Sequence, residues 1–334
     1  MIKVKNIYYM LAYAFQILNE AGYEKAAAED FDNINDLMAA ILSIGITNQV
    51  KRGLNRDYEV QTESLSCLRG KIDISASVKQ QTLVMRKMVC SFDIFSENTP
   101  MNQILKTTSM LLIRSGDVHN ARRRELKKLM LYFNNVDMIN PLAINWTGLK
   151  YHRNNSTYKM LINICYLVIK GLLLTTETGT LKLGRYMDDQ QMHRLYEKFV
   201  LEYYRKHYPR LKANPCFIDW NVDDGESDFL PQMKTDITLT NGIKTTIIDT
   251  KHYDRIMQNN PRFDKTSIRS AHLYQIFTYV KNRDKNNSGN VSGVLLYART
   301  DEEITPDNDY SIGGNRISVK TLDLNADWAE IKEQ

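Results

Sequence analysis

Apolar residues recur at helical spacing from the start of the chain. Ile7, Tyr8, Leu11, Ala14, Phe15 and Leu18 fall on one stripe, which predicts a core-facing helix over 7–21 with Asn6 as its cap. The aromatic stripe of Tyr8, Tyr9 and Tyr13 reads as packing. Leu37, Ile41, Leu42 and Ile44 predict a second helix over 34–50, weakened at Gly45. The period then falls to two: 57–64 and 70–78 alternate, and 84–95 reads as a third strand, together a small β-rich module between helices. Helical spacing returns after Thr99-Pro100, over 120–133, in a strongly apolar segment 159–174, and over 188–207. Beyond it, Asn241-Gly242 lies between two runs rich in Thr and Ile and predicts a two-residue hairpin turn closed by Thr240 and Ile243. A polar loop over 254–265, a helix over 266–282, a buried parallel-type strand over 291–297 and a last strand over 316–322 complete the expectation. Residues after 299 read as peripheral.

The predicted hairpin register puts Asp236 opposite Ile247, with Asp249 its diagonal neighbour on the same face and Lys251 two residues further along that face. Ile237, Leu239, Thr246 and Ile248 make the other, buried face. Two acids and a lysine beside an apolar layer suit metal-assisted phosphodiester hydrolysis. The carboxylates would hold Mg²⁺, an ion that takes oxygen ligands. Lys251 would orient water or offset charge in the transition state. The competing reading is an acid and a lysine at i, i+2 on a solvated strand face. Gln275 and Tyr279, four apart on the following helix, share a face. Either they pack, or they orient the substrate strand beside the acids. Arg255, Arg262 and Lys265, in the expected loop, are candidates for DNA phosphate contact.

Composition narrows the classes. The chain has 334 residues, 43% of them hydrophobic, enough for two domains with a core each. It holds no apolar run long enough for a membrane span and no leader pattern at its start, so a cytoplasmic location is expected. Cys67, Cys90, Cys165 and Cys216 are scattered and read as buried free thiols. A net charge of +5 permits a polyanionic partner without requiring one. Of the basic clusters, Arg122-Arg123-Arg124 with Lys127-Lys128 is either a solvated face or a contact surface. Arg205-Lys206-His207 with Arg210 and Lys212 is the better candidate for phosphate contact. Gly70-Lys71 lacks the upstream glycine of a Walker A loop, so nucleotide dependence would come from another chain.

Asp236 followed by Asp249-Thr250-Lys251 resembles the D…(D/E)-x-K core of the PD-(D/E)xK nuclease superfamily, and Gln275 to Tyr279 resembles the Q-x-x-x-Y helix motif of its RecB-like branch. More specifically, the chain resembles the McrC family, the nuclease subunits of McrBC modification-dependent restriction systems. The likeness spans nearly the whole length. It includes Asn6 to Leu11, Arg52-Gly53-Leu54, Arg69-Gly70-Lys71-Ile72, Ser91-Phe92-Asp93, Asn102 to Lys106, Thr235-Asp236-Ile237, Ile248 to Tyr253 and Leu273-Tyr274-Gln275.

The resemblance implies an α/β (α+β overall) chain. Residues 181–334 would form a PD-(D/E)xK nuclease domain, a mixed sheet flanked by helices. Residues 1–180 would form a helical and β-rich region that docks into the ring of an McrB-like AAA+ GTPase and stimulates it. Arg52, Arg56, Arg69 and Lys71 are then candidates for reaching the partner. Glu197, on the helix before the hairpin, sits where the superfamily often adds a third carboxylate; an ordinary helix ion pair is the alternative. His193 is a weaker candidate. The activity implied is Mg²⁺-dependent cleavage of double-stranded, modified DNA, driven by GTP bound to the partner. The rival expectation is a non-catalytic assembly factor that activates the partner's GTPase.

Overall fold

Ile247 and Ile248 are adjacent apolar residues, so a strand through them needs cover on both faces, and both side chains are buried. The computed structural model describes residues 2–16, 23, 29, 31–152, 155, 157–175, 181–183, 187–223, 227–253, 256–260, 265–299 and 305–334. It divides into two units: Met1–Leu37 with Lys170–Leu172 and Gly184–Gln334, and Met38–Ile169 with Leu173–Leu183.

The first unit begins with α1 (Val4–Ala14). Asn6 lies inside this helix rather than capping it; its amide donates to the carbonyls of Leu324 (2.7 Å) and Ala326 (2.9 Å). The polar residue expected at a helix end instead ties the helix to a distant turn. Tyr9 stacks on Trp328 at 4.4 Å and Tyr13 meets Phe199 edge-on at 5.8 Å, so the aromatic stripe does pack. Residues 17–21 of the predicted helix lie outside the described residues.

Helix α2 (Ile34–Arg52) leads into the second unit. There β1 (Asp57–Leu65), β2 (Lys71–Asp73) and β3 (Met88–Ser96) pair antiparallel in the order β1-β3-β2. The strand expected over 70–78 stops at Asp73. That carboxylate accepts from the Ala76 N–H at 2.8 Å and starts α3 (Ile74–Lys79). A local cap has outcompeted the ladder. The third strand begins at Met88, because Thr82–Met85 forms a 3₁₀ turn. Helices α4 (Pro100–Arg114), capped by Thr99, α5 (Asn120–Met130) and α6 (Tyr158–Leu167) follow, then a short pair β4 (Leu173–Thr175) and β5 (Leu181–Leu183). Tyr58, Val60, Leu83, Val84, Met85 and Phe95 are exposed on this unit. All four cysteines are free, but Cys67 is exposed rather than buried and Cys216 only half-buried.

Back in the first unit, α7 (Asp189–His207) is capped by Asp188, and β6 (Phe217–Ile218) pairs with β7 (Met233–Lys234). The main sheet then takes β8 (Ile237–Thr240) and β9 (Thr245–Lys251). Segment 254–265 is not a plain loop: β10 (Met257–Asn260) pairs with β11 (Lys265–Ile268), a polar ribbon whose register rests on backbone bonds. Helix α8 consequently starts later than expected, at Ser270, and ends at Arg283. Strands β12 (Val291–Ala298), β13 (Asn308–Ile312) and β14 (Asn315–Leu322) and helix α9 (Trp328–Glu333) close the unit.

The sheet order is β13-β14-β12-β9-β8; β9, β12 and β14 run parallel, while the two edge strands are antiparallel. The C-terminal segment is therefore not peripheral, since Ile317 and Val319 of β14 are fully buried against β12. Only alternate residues of β14 point inward, which disguised it. Ile276 and Val280 of α8 join Ile247, Leu295 and Ile317 in one core, and α7 packs against β9 with α1 beneath it. Close approach of α8 requires Gly293, where a Cβ would meet Ile276 Cγ1 at 2.7 Å. No described helix is long and apolar enough to cross a membrane.

Candidate active site

The hairpin that carries the acids turns one residue later than its sequence predicts. Thr240 faces Thr245 and Ile237 faces Ile248. Asn241 N–H donates to the Lys244 carbonyl (3.2 Å), while the Asn241 side chain accepts from Lys244 N–H (3.1 Å). Gly242 alone takes a positive φ, +97°. The Asn side chain has replaced a backbone bond, so Gly242-Ile243 rather than Asn241-Gly242 is central. The shift moves pairing by two residues and preserves the faces. Asp236 now lies one step beyond the Ile237–Ile248 pair, across from Asp249 rather than diagonal to it.

The acid-bearing face is itself covered. Asp249 is 1% exposed and Lys251 7%, each among the least accessible charged groups described. Lys251 Nζ is 2.7 Å from Asp249 Oδ2 and donates to Gln275 Oε1 at 3.1 Å. The Gln275 amide in turn donates to the Tyr279 hydroxyl at 3.0 Å, using the i, i+4 spacing of α8. Asp236, half-buried just before β8, accepts from the Thr250 N–H (2.8 Å) and hydroxyl (2.9 Å). Thr250 had no sequence signal beyond occupying the variable place in D-x-K. It fixes one acid to the strand that bears the other.

Glu197 of α7 is half-buried. Burial, then the negative charge of Asp236, with a further contribution from Asp249, pushes its carboxyl up to about 7. Burial likewise raises Asp249 to about 6, although Lys251 opposes the shift. These carboxylates feel one another's charge. Oδ2 of Asp249 lacks a hydrogen bond of good geometry among the described residues, its Lys251 contact being an ion pair.

Among the described residues no three His, Cys, Asp or Glu side chains form a ready-made metal cage. The donor set nevertheless fits Mg²⁺, which is held by one or two carboxylates with waters and substrate phosphates rather than by an all-protein cage. Hard oxygen donors, mutual repulsion and an under-bonded buried oxygen all favour a divalent cation.

Around Lys251 lies a ring of residues that the sequence had not assembled. His193 Nδ1 accepts from the His252 N–H at 3.3 Å, and Tyr253 stacks on His272 at 5.1 Å. His272 Nδ1 lies 2.8 Å from the Tyr297 hydroxyl. Burial lowers His272 to about 4, with Lys251 adding to the effect. These side chains come from α7, the segment after β9, α8 and β12, so no spacing reveals them.

Of the remaining candidates, Arg255 and Arg262 lie outside the described residues, and Lys265 is described only as the first residue of β11. Arg205 is engaged within its own unit, by Glu202 (2.8 Å), the Ala213 carbonyl (3.1 Å) and Asn214 (2.7 Å). In the other unit Arg52, Arg56, Arg69 and Lys71 are all exposed. Arg56 Nε donates to Glu97 at 2.9 Å, and the Arg69 guanidinium lies 4.2 Å from the centroid of the Phe92 ring.

A mixed sheet flanked by helices carries Asp249 and Lys251 on the parallel strand β9 and places Asp236 just before the antiparallel edge strand β8. The chain belongs to the family described as McrBC 5-methylcytosine restriction system component, whose profile matches residues 3–298. It is 27% identical over 337 residues to the type IV methyl-directed restriction enzyme EcoKMcrBC of Escherichia coli K12, a match covering 100% of this chain and 96% of that protein. Its fold is similar to one in the tetradecameric assembly of Thermococcus gammatolerans McrB AAA+ hexamers with bound McrC. That likeness has a TM-score of 0.56 at 17% identity and covers 98% of this chain and 73% of the other.

Proposed function

We propose that this chain is the DNA endonuclease subunit of an McrBC-like restriction system, hydrolysing phosphodiester bonds in modified DNA with Mg²⁺ and stimulating the GTPase of an McrB-like AAA+ ring. The observation that carries the reading is the linked set Tyr279–Gln275–Lys251–Asp249, with Asp236 held to Thr250, in a chain of this family. An amine and a carboxylate buried together on a sheet face have a large desolvation cost, which a scaffold has no need to bear.

Asp236 and Asp249, with Glu197 in support, would hold the metal. Mg²⁺ bound there would supply Lewis-acid activation of the phosphate and of a water. Gln275, fixed by Tyr279, holds the Lys251 ammonium beside Asp249. That ammonium orients the attacking water and offsets negative charge developing on the phosphate oxygens. Thr250 keeps the Asp236 carboxylate from rotating away. The α7 and α8 helices restrict water, so each interaction acts at reduced dielectric.

The other unit would dock to the partner. Its exposed Tyr58, Val60, Phe95, Val84 and Met85 supply apolar contact area, and Arg52, Arg56, Arg69 and Lys71 supply charge. GTP would be bound by the partner.

The test is cleavage of methylated and unmethylated plasmid by the chain with Mg²⁺, with and without its partner GTPase and GTP. Asp249→Ala and Lys251→Ala are each expected to abolish cutting while GTPase stimulation persists. Undiminished cutting by Asp249→Ala would remove the hairpin as the active site. Stimulation without any cutting by the parent chain would favour a non-catalytic assembly factor.

A further inference from the structure

Arg269 occupies the position just before α8 and stands in a place where a cation is disfavoured. It is the N-cap residue, it makes no side-chain cap, and no acid sits in the first helical turn. A positive charge there opposes the helix dipole. Nor is it neutralised: among the described residues no carboxylate forms an ion pair with it, and its buried Nε–H has no acceptor.

Its guanidinium is nonetheless held. The Arg269 Cζ is 5.3 Å from the centroid of the Tyr253 ring, within cation–π range. Tyr253 stacks on His272 with an interplanar angle of 24°, and His272 is anchored by the Tyr297 hydroxyl. Tyr297 pairs across the sheet with Lys251, and Tyr253 follows Lys251 by two residues. An arginine with unused donors, braced by a stack rooted beside the candidate hydrolytic lysine, is organised to receive an anion. Tyr253 remains 39% exposed, so the approach is open.

We infer that Arg269 binds a backbone phosphate of the DNA strand being cut, next to the scissile one, with Tyr253 and His272 fixing its plane. This rests on the nuclease reading and adds to it a residue that sets where the strand lies. A fork of N–H donors suits a phosphodiester, and its loss would weaken binding to all sequences alike.

The experiment is fluorescence anisotropy of a labelled short duplex titrated with the full chain. Asp249→Asn is present throughout to block cutting, and KCl is varied from about 25 to 200 mM, a range over which phosphate contacts weaken steeply. Arg269→Ala and Arg269→Gln are expected to weaken binding about tenfold or more. Each should flatten the slope of log affinity against log salt by about one. Arg269→Lys should restore the slope but only part of the affinity. Arg283→Ala, at the far end of α8, should change neither. Lost affinity with an unchanged slope would mark a structural role and overturn the inference. So would unchanged binding by both neutral variants, or no binding by the Arg269-bearing chain at the lowest salt. Plasmid cutting by Asp249→Ala tests the underlying reading separately. If that variant is inactive while Arg269→Ala binds normally, only the phosphate contact falls.

Discussion

Replacing Asp249 by Asn should make the metal-free protein more stable while removing its activity. Burial is the main reason this carboxyl rises from an ordinary 3.8 to about 6, even with Lys251 beside it. A raised folded-state value means that stability is greatest below 3.8, where the carboxyl is protonated in both states, and is lost as pH rises through about 6. At about 1.4 kcal/mol per pH unit, the loss at pH 7.5 is about 3 kcal/mol. Asparagine resembles the protonated acid in shape and charge, so the variant should recover most of that at pH 7.5 and nothing below about pH 4. Urea unfolding followed by tryptophan fluorescence measures it, with Trp220 and Trp328 reporting on the unit concerned. In EDTA the parent should gain stability as pH falls from 7.5 to 5 while the variant changes less. Added Mg²⁺ should raise the parent's midpoint and leave the variant's alone, because a ligand that binds only the native state stabilises it. A variant equal to or weaker than the parent in EDTA at pH 7.5 would refute the claim that the site opposes the fold.

Other outcomes follow from particular contacts. Tyr279→Phe removes the acceptor of the Gln275 amide and should lower kcat about tenfold with KM and GTPase stimulation unchanged, read by initial cleavage rates. Asp284 accepts four hydrogen bonds, from Ser288 N–H and hydroxyl, Gly289 N–H and Asn315 Nδ2, at 2.7–2.9 Å, and these hold its carboxyl down to about 2 despite burial. Asp284→Ala should therefore cost about 2–4 kcal/mol in urea unfolding. Gly293→Ala drives a methyl group into Ile276 and Val280 and should destabilise the same unit by about 1–3 kcal/mol, seen as a lower thermal midpoint.

The candidate-site hairpin was legible because its two acids and lysine lie within sixteen residues and strand alternation assigns the faces. A turn displaced by one residue did not disturb that, since a two-residue change of register keeps every side chain on its face. Gln275 and Tyr279 were legible from helical spacing. The failures share a cause. Asp73 capping a helix, the polar β10–β11 ribbon and the half-buried pattern of β14 are each decided by backbone bonds or neighbours distant in sequence. Thr250 and the Tyr253–His272–Tyr297 stack were invisible for the same reason: their partners meet only after the sheet has formed.

The amide of Asn6 finds its acceptors 318 and 320 residues away. During synthesis, which runs from the N-terminus, the Asn6 amide must therefore wait for its acceptors until nearly the last residues of the described chain have left the ribosome. The β-rich middle unit has every one of its own segments available much earlier and can fold first. A cell making this chain would then hold a folded middle unit before the main sheet of the first unit is complete.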